Sequence, residues 1–370
     1  MTGSNEHIVA PAVPHNALLP MPGREVLETP ATLRASIRAR DAITQLTRAT
    51  ARIPNPAIVI NAIPILEARD SSRIENIVTT SDALFQHQAL ADDADPSTKE
   101  ALRYRTALLA GVRSLDQRPL CTRTAVDIAE TLLGSDVGVR KTTGTALKST
   151  VTGEIVYTPP EGESLIRTKL AEWERSVHDA SVDPLIRMAA SHYQFEAIHP
   201  FVDGNGRTGR ILNTLMLVEA GFLDMPIFYL SRFILTNRDR YYSLLSQVTY
   251  DGAWETWIEF MLEGLRETAE WTTALVGRID DLMTEVHAKV KRSPGQVVPF
   301  EAFEVIFTYP YTRISTLVEH GIAQRQTASR YLKHLAELGV INQVASGREK
   351  LYVNRRLLDV LGGATTWTPV

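Results

Sequence analysis

The sequence predicts a mainly α-helical protein, a helical bundle with one small β-hairpin, followed by a C-terminal winged helix-turn-helix domain. Apolar residues recur at helical spacing in several segments between Thr32 and Val286, which is typical of amphipathic helices. β-branched residues around a Gly-Glu pair are concentrated in 151–160, and two short apolar runs follow two helical patterns near the C-terminus. A chain of 370 residues can bury a substantial core and is expected to hold two or three domains.

The composition is that of an ordinary globular protein, with 44% hydrophobic and 22% charged residues. The net charge of −4 argues against a surface that coats nucleic acid. Cys121 is the only cysteine, which excludes an internal disulfide and a cysteine-based zinc site. No basic stretch followed by an apolar core begins the chain, and no apolar run approaches membrane-spanning length. We therefore expect a cytoplasmic protein without a membrane partner.

The first region, residues 1–110, is predicted to combine an arm with a group of helices. Residues 1 to about 28 are rich in proline and small polar residues, which fits either an extended arm around the body or a partly ordered tail. From Thr32 to Arg48 the apolar spacing predicts a helix.

A second helix is predicted over Pro64 to Asn76, with proline opening it and asparagine closing it in the left-handed conformation. Ser71 and Glu75 are four residues apart and share a face of this helix. Glu75 falls in the last turn, where the helix dipole disfavours a negative charge. An acid at that position needs a cationic partner or a function.

The second region, residues 111–285, contains a predicted hairpin and a helix–loop–helix. Val151 to Pro160 reads as a short hairpin around Gly153-Glu154, closed by two prolines, within a segment of about 146–160. Asp183-Pro184 is a good helix start. Pro200 disfavours the helical conformation at His199, so that helix should end there.

The loop between these two helices, residues 199–210, reads His-Pro-Phe-Val-Asp-Gly-Asn-Gly-Arg-Thr-Gly-Arg. Taken singly, a histidine before proline usually marks a helix end, a Gly-Asn-Gly is usually a turn, and two arginines at helical spacing usually form a solvated face. At frequencies of about 5% each, eight fixed positions match by chance at roughly one start in 10^10. The combination therefore favours a functional site.

The residue types in this loop are suited to gripping phosphates at the start of a helix, which is a ready anion site. Gly204 and Gly206 allow consecutive amides to turn inward as a phosphate nest. Asn205 adds a side-chain donor. Arg207 and Arg210 lie three residues apart and can reach different phosphates.

Two further residues of the loop are suited to the chemistry itself. Asp203 offers a hard oxygen ligand of the kind that Mg²⁺ requires when it bridges phosphates. His199 titrates near neutral pH and could accept a proton from an attacking hydroxyl.

The last region, residues 291–370, follows a boundary at Lys291 to Gly295. Ile314 to His320, a turn, and Thr327 to Leu338 predict two helices, and two short strands follow around Ser346-Gly347, which is the order of a winged helix-turn-helix. Residues expected on its recognition helix and wing are Arg325, Gln326, Ser329, Arg330, Lys333 and Arg348. The domain could bind DNA or pack against a protein, because the fold alone fixes neither.

Residues 199–210 closely resemble the signature of the Fic (Fido-domain) family, whose members mostly transfer AMP from ATP onto protein hydroxyls. The resemblance implies a Fic-type helical bundle, with His199 as catalytic base and Asp203 as the Mg²⁺ ligand. Arg207 would help to hold the phosphate chain, and Arg210 would meet the γ-phosphate. The Arg-Tyr-Tyr stretch at 240–242 resembles the segment of the family that helps form the nucleotide pocket. The ATP-binding positions implied by the resemblance are Glu75, His199, Gly204, Asn205, Gly206, Arg207, Thr208, Gly209, Arg210, Tyr241 and Tyr242.

Residues 71–76 resemble the family's inhibitory motif, Ser/Thr-x-x-x-Glu-Gly/Asn, here Ser71, Glu75 and Asn76. The resemblance implies that Glu75 pairs with Arg210 and keeps it from the γ-phosphate. The hairpin resembles the family's β-flap, which pairs with the backbone of a target protein. This chain lacks the tryptophan-containing strand of many relatives before the flap and has Ala146-Leu147-Lys148 nearby instead.

The predicted function is thus an autoinhibited protein adenylyltransferase acting on Ser, Thr or Tyr hydroxyls, with ATP as substrate and Mg²⁺ as cofactor. Self-modification and a homodimer are further expectations from the family. Two alternatives stay open at this point: a Fic-type enzyme that removes AMP or transfers another phosphate-containing group, and a winged-helix DNA-binding regulator whose nucleotide site only senses.

Overall fold

The computed structural model describes residues 10–90, 95–149, 152–346 and 349–362 and is mainly α-helical, as predicted. The loop between the two helices of the motif comprises residues 199–204, and we call it the motif loop. The helices before it are α1 (Arg24–Leu27), α2 (Pro30–Thr50), α3 (Ala57–Ile74), α4 (Ser81–Leu90), α5 (Pro96–Leu115), α6 (Thr122–Leu133), α7 (Glu163–Val177) and α8 (Pro184–Ile198). Those after it are α9 (Asn205–Glu219), α10 (Leu230–Thr236), α11 (Arg238–Asp251), α12 (Trp254–Arg292), α13 (Phe300–Thr308), α14 (Ile314–Glu319), α15 (Arg325–Glu337) and α16 (Arg355–Gly362). Within the described residues, each helix is too short or too polar to cross a lipid bilayer.

The strands form two small antiparallel sheets. In the first, β1 (Leu147–Lys148) pairs with β2 (Ile155–Tyr157), with Leu147 opposite Tyr157. In the second, β3 (Tyr311–Arg313), β4 (Asn342–Ser346) and β5 (Glu349–Val353) lie in the order β3-β5-β4.

The core surrounds α8 and α9, which bury almost every residue because other helices cover them on all sides. Asp183 caps α8 by accepting the amides of Leu185 and Ile186, so the predicted start of this helix is confirmed. The predicted helical patterns after Trp254 form one continuous helix, α12, which packs along α2. With 39 residues, α12 is about 58 Å long and runs from the bundle to the C-terminal region.

The helix predicted over Pro64–Asn76 begins earlier than expected. It starts at Ala57, where the Asn55 side chain accepts the Ala57 amide at 3.0 Å, and Pro64 lies inside it. Proline inside a helix removes one donor, but the buried apolar residues on both sides hold this helix in the core. The predicted end is confirmed, since Asn76 has the left-handed conformation with φ 64°.

The predicted hairpin is present, but its first strand lies earlier in the chain than the sequence predicted. That strand is Leu147–Lys148 rather than the residues just before Gly153, and Gly153 belongs to the turn with φ 72°. Val151 lies outside the described residues. We call the segment 147–160 the flap.

Residues 11–16 of the N-terminal region contact the end of the flap, and residues 1–9 are outside the described part. The His15 amide donates to the Thr158 carbonyl at 2.9 Å, and the Thr158 hydroxyl donates to the Pro11 carbonyl at 2.7 Å. The Asn16 side chain accepts the Glu161 amide at 3.0 Å. Of the two interpretations of this region, these contacts favour the extended arm.

Residues 300–362 form the C-terminal unit. The two predicted helices and the two strands that follow are present as α14, α15, β4 and β5, and β3 completes the sheet. Arg348, expected on the wing, lies outside the described residues. The unit contacts the bundle through α13, which packs on α3, and through the Tyr311 hydroxyl, which donates to Asp82 of α4 at 2.5 Å.

Candidate active site

A pocket of about 520 Å³ opens beside the motif loop, a size that suits a small-molecule ligand. Its walls come from the end of α3, the flap, the end of α8, the start of α9 and α11. Residues from the predicted site that line it are Glu75, Asn76, His199, Gly206, Arg210, Tyr241 and Tyr242. The fold thus brings together segments that are up to 167 residues apart in the chain, from Glu75 to Tyr242.

The motif loop is held by two left-handed residues, His199 (φ 50°) and Gly204 (φ 77°). Gly204 is the N-cap of α9, and its carbonyl accepts the Thr208 amide at 2.9 Å as the first bond of that helix. The amides of Asn205, Gly206 and Arg207 precede this first bond and are the free donors of a helix start. The backbone therefore presents unpaired N–H donors at this helix start, an arrangement that favours an anion.

The Asn205 side chain does not have the role expected from the sequence. Its Oδ1 accepts the Phe201 amide at 2.8 Å and its Nδ2 donates to the Phe201 carbonyl at 2.9 Å, and the side chain is buried. Because both amide atoms are engaged, Asn205 closes the loop on itself, and only its backbone N–H stays free for an anion.

His199 is the C-cap of α8 and extends its imidazole into the pocket. Burial, followed by the positive charge of Arg140, lowers the pKa of His199 to about 4, against weaker opposing effects of the Glu196 carbonyl, Glu75 and Asp203. Among the described residues, its Nδ1 has no hydrogen-bond partner of normal geometry. The imidazole is therefore neutral at physiological pH, the form in which it can accept a proton.

Arg210 and Glu75 form an ion pair inside the pocket, with Nη2 2.8 Å from Oε1. The Arg210 side chain is 1% exposed and that of Glu75 is 34% exposed. Burial alone would raise the pKa of Glu75, but the Arg210 guanidinium outweighs it, so the pKa is lowered and the carboxylate is charged. Ser71 also holds Arg210: Arg210 Nε donates to the Ser71 hydroxyl at 2.9 Å, and Nη2 donates to the Ser71 carbonyl at 3.0 Å.

The Glu75 carboxylate lies at the amino end of α9, where anions are stabilised. A Cβ on Gly206 would collide with Glu75 Oε1 and approach Arg210 Nη1 to 3.0 Å. The carboxylate therefore fills the space beside the first turn of α9, where the free N–H donors of a helix start favour an anion.

The helix that carries Glu75 is anchored by buried polar contacts. Glu67 accepts the Tyr104 hydroxyl at 2.8 Å and the Ser231 amide at 2.9 Å, and the Tyr229 hydroxyl donates to Asp70. These bonds fix α3 against α5 and α10, so Glu75 is presented by a rigid element.

Neither Asp203 nor Arg207 lines the pocket. The Asp203 side chain is 70% exposed, and one oxygen accepts the Gly204 amide at 2.6 Å. Arg207 is buried and forms an ion pair with Glu100, and its Nη2 lies 3.5 Å from Asp203. Within the described residues no group of three His, Cys, Asp or Glu could hold a metal unaided. One exposed carboxylate does fit Mg²⁺, which is commonly held by one or two carboxylates together with substrate phosphates and water.

The two tyrosines of α11 have different environments. Tyr241 is 1% exposed and its hydroxyl is 2.8 Å from His192 Nε2, whereas Tyr242 is 42% exposed. Their rings meet edge to face with centroids 5.2 Å apart. Tyr241 therefore forms a fixed wall of the pocket, and Tyr242 presents a ring at its mouth.

Thr208 and Gly209 do not face the pocket, although the family resemblance implied contact with nucleotide. Thr208 is fully buried, and a Cβ on Gly209 would collide with Glu196 and approach His192 to 3.2 Å. Gly209 therefore permits the close approach of α8 and α9. The sequence could not separate this packing role from ligand contact because both lie within the same motif.

The sequence interpretation missed two charged residues of the site. Glu196 lines the pocket, and burial, opposed by Arg210, raises its pKa to about 7. Its position three residues before His199 on α8 was a usable signal, because i and i+3 share a helix face. Arg140, whose Nε donates to the His199 carbonyl at 2.7 Å, lies in an irregular segment without any motif that would have indicated it.

Comparison with known families divides the chain into three matched segments. Residues 33–113 match the N-terminal domain of the Fic/DOC family, and residues 119–217 match the Fic/DOC family domain itself. Residues 282–357 match the C-terminal domain described as that of SoFic-like protein adenylyltransferases.

Relatives named "Protein adenylyltransferase Fic" include those of Drosophila ananassae and Drosophila melanogaster, each 30% identical over 118 residues. The match covers 31% of this chain and 22% or 23% of those proteins, so the chain spans less than a quarter of the length of these curated relatives.

Solved structures agree in fold. A Fic family protein from Desulfovibrio desulfuricans G20 superposes with a TM-score of 0.58 at 18% identity, over 91% of this chain and 98% of that one. A Fic domain containing signaling protein from Bacteroides thetaiotaomicron gives a TM-score of 0.51 at 15% identity, over 65% of this chain and 95% of that one. With its N-terminal and Fic domains followed by a SoFic-like C-terminal domain, the chain belongs to the Fic/DOC family.

Proposed function

We propose that this protein transfers AMP from ATP to a hydroxyl group of a target protein and that Glu75 holds the reaction in check. The observation that carries the proposal is the Arg210–Glu75 ion pair in the same pocket as a neutral His199. The names of the Drosophila relatives support the reaction type, since they are called adenylyltransferases.

In the proposed reaction, the oxygen of a Ser, Thr or Tyr hydroxyl attacks the α-phosphorus of ATP. Its proton passes to the neutral His199 imidazole, the bond between the α-phosphorus and the bridging oxygen breaks, and pyrophosphate leaves. The free amides at the start of α9 stabilise negative charge on the phosphates, and Arg210, once released, pairs with the terminal phosphate.

The cofactor of the proposed reaction is Mg²⁺, which Asp203 would hold. A bound divalent cation would neutralise part of the charge on the phosphates of ATP. The exposed carboxylate supports this assignment because it lies next to the helix start that would bind the phosphates.

The inhibition in this proposal is a direct competition for one guanidinium. Arg210 donates to Ser71 and Glu75 in the present arrangement, so a γ-phosphate would have to displace the Glu75 carboxylate. Since Glu75 also approaches the Gly206 backbone, its release would free the arginine and the anion-binding helix start together.

The proposed partner is a protein segment that pairs with the flap in extended form. The flap supports this proposal because Val156 is 40% exposed next to a pocket-lining tyrosine, Tyr250, itself 38% exposed. An apolar edge beside a reactive pocket suits backbone pairing with an incoming chain.

Incubation of the protein with labelled ATP and Mg²⁺ tests the proposal, using the Glu75→Gly variant and the Glu75→Gly, His199→Ala double variant. We expect the first to gain AMP on itself or on proteins of a lysate, with a mass increase of one AMP, and the second to gain none while still binding ATP. Equal labelling of the two would refute His199 as the base. An adduct of another mass, or hydrolysis of AMP already attached to a protein, would instead support the alternative Fic-type chemistries.

A second candidate function concerns the C-terminal unit, because α15 exposes Arg325, Arg330 and Lys333 along one side. If this winged helix-turn-helix binds duplex DNA through three phosphate contacts, the logarithm of the association constant should fall with the logarithm of the salt concentration with a slope of about −2.7. Anisotropy of a labelled duplex across a salt series measures it. Loss of all binding at physiological salt would exclude the DNA-regulator function.

A further inference from the structure

Arg140 is a buried arginine that joins the flap to the motif loop. It lies in the irregular segment between α6 and β1 and is 1% exposed. Its Nε donates to the His199 carbonyl at 2.7 Å, its Nη2 donates to the Pro160 carbonyl, and its own amide donates to the Pro200 carbonyl at 2.9 Å. One residue therefore connects the end of the flap with the residue proposed as the catalytic base.

The His199 carbonyl needs such a partner because of its backbone conformation. His199 has φ 50° and ψ 59°, a left-handed geometry that is disfavoured for a residue with a Cβ. This conformation turns the chain out of α8 and aims the carbonyl away from the helix, where a buried acceptor without a donor would be penalised. The guanidinium supplies a charged donor, which makes a stronger bond than a neutral one. Arg140 thus favours the backbone geometry that directs the imidazole into the pocket.

A second contact joins the flap to the same turn of α8. The Tyr157 hydroxyl, on β2, donates to the Ala197 carbonyl at 2.8 Å and is buried. A third contact involves α11, since the Tyr250 hydroxyl donates to the Val156 carbonyl at 2.8 Å. The flap is therefore attached to the end of α8 and to α11, the two elements on either side of the pocket.

We propose that Arg140 is a positioning residue that couples the seating of the flap to the orientation of His199. A target strand that pairs with the flap stabilises the Pro160 end, and Arg140 transmits this order to the His199 carbonyl. The coupling rests on the proposed function only for its effect on AMP transfer; its structural part can be measured separately.

The contacts of Arg140 indicate which kinetic constant should change. None of its hydrogen bonds involves Arg210 or the amides at the start of α9, which would bind the phosphates. Loss of Arg140 should therefore leave ATP affinity nearly unchanged and reduce kcat, because displacing a catalytic group by about 1 Å can lower a rate by about a hundredfold.

The experiment compares Arg140→Gln and Arg140→Lys, both in the Glu75→Gly background, with labelled ATP and self-modification as the assay. We expect kcat to fall by about tenfold to a hundredfold for Arg140→Gln with less than a threefold change in Kd for ATP. Arg140→Lys keeps the charge and one donor, so it should recover part of kcat. The matched control is Arg187→Gln, which removes an arginine that donates to the Asp179 and Val182 carbonyls far from the pocket and should leave kcat unchanged.

Amide hydrogen exchange provides a readout independent of the chemistry. In Arg140→Gln, exchange should rise together in residues 152–160 and 199–204, and Arg187→Gln should change neither segment. If Arg140→Gln does not fold, Tyr157→Phe replaces it, since this variant removes only one hydroxyl contact and should act in the same direction more weakly.

An unchanged kcat, or exchange that rises in only one of the two segments, would overturn the coupling. A fall in kcat matched by an equal loss of ATP affinity would also overturn it, because this is what general destabilisation produces. If the Glu75→Gly parent itself transfers no AMP, the proposed function fails, and the exchange measurement still decides the coupling.

Discussion

Replacing Glu75 with glycine should raise the rate of AMP transfer by removing the carboxylate that occupies Arg210. The two side chains are in contact at 2.8 Å, and the guanidinium is buried while the carboxylate is 34% exposed. The change removes one negative charge from the start of α9 and frees Arg210 for phosphate. It leaves Ser71 in place as an anchor for the arginine.

The size of the effect follows from the strength of this ion pair. With charge centres about 4 Å apart and an effective dielectric constant near 20, the attraction is about 4 kcal/mol. Partial exposure of Glu75 and the desolvation of both groups offset some of it, which leaves about 2–3 kcal/mol in favour of the inhibited state. The competent state is then populated at roughly 0.6–3%, so release should accelerate transfer about 30- to 160-fold at subsaturating ATP.

The assay is the initial rate of AMP incorporation from labelled ATP at an ATP concentration below KM. Glu75→Gln keeps the shape but loses the charge and should give an intermediate rate. Glu285→Gln is the matched control, because it removes a carboxylate that pairs with Arg356 at 2.6 Å, far from the pocket, and should leave the rate at the wild-type level. A Glu75→Gly variant that binds ATP but transfers AMP no faster than wild type would refute competition for Arg210 as the cause of inhibition.

Two further predictions concern the loop and its surroundings. Asn205→Ala should lower the free energy of unfolding by about 1–3 kcal/mol, since it leaves the buried amide and carbonyl of Phe201 unpaired. It should also weaken ATP binding. Chemical denaturation measures the first effect and calorimetry the second, and unchanged values would contradict the loop-closing role of Asn205. His192 should make the protein acid-sensitive, because burial, and then the charge of Arg210, lowers its pKa to about 3. Below pH 6.5 the unfolded chain therefore binds a proton at His192 that the folded protein does not bind. The contribution of the neutral His192 to the free energy of unfolding is fully present above pH 6.5 and is lost at about 1.4 kcal/mol per pH unit as the pH falls toward 3. Between pH 7.5 and 5, Tm should therefore drop less in His192→Gln than in wild type. An equal drop in the two proteins would contradict the prediction.

The elements with strong local signals were predictable from the sequence. Asp183-Pro184 predicted the start of α8, and Asn76 predicted that α3 ends in the left-handed conformation. Both predictions were possible because capping depends on a few neighbouring residues. The start of α3 was predicted wrongly at Pro64 because proline is far more common at a helix start than inside one, and buried packing overrode that preference. The first strand of the flap, β1, was not predicted at its position because its two residues are too few to show a periodic pattern in the sequence.

The candidate site was predictable where its residues are contiguous and was not where they come from distant segments. The 199–210 motif predicted a helix that begins at its glycines, and α9 begins there with Gly204 as its N-cap. Whether a given motif residue lines the pocket or the core depends on the crossing of α8 and α9, which no local pattern encodes, so the burial of Thr208 and the close packing at Gly209 were not predictable from the motif. Arg140 was missed for the same reason, since its partners are backbone carbonyls that any sequence supplies.

In the proposed mechanism, the two controls of the site act on different components. Glu75, on a helix fixed in the core, pairs with Arg210 and would control the phosphates. Arg140, at the base of the flap, bonds to the His199 carbonyl and would control the base that deprotonates the attacking hydroxyl. Since Arg210 and His199 lie at opposite ends of the 199–210 segment, release of Glu75 would free Arg210 without acting on His199, and docking on the flap would act on His199 without freeing Arg210. Transfer would then require both events, which predicts that Glu75→Gly raises the rate for a docked target more than the rate at which ATP is merely hydrolysed.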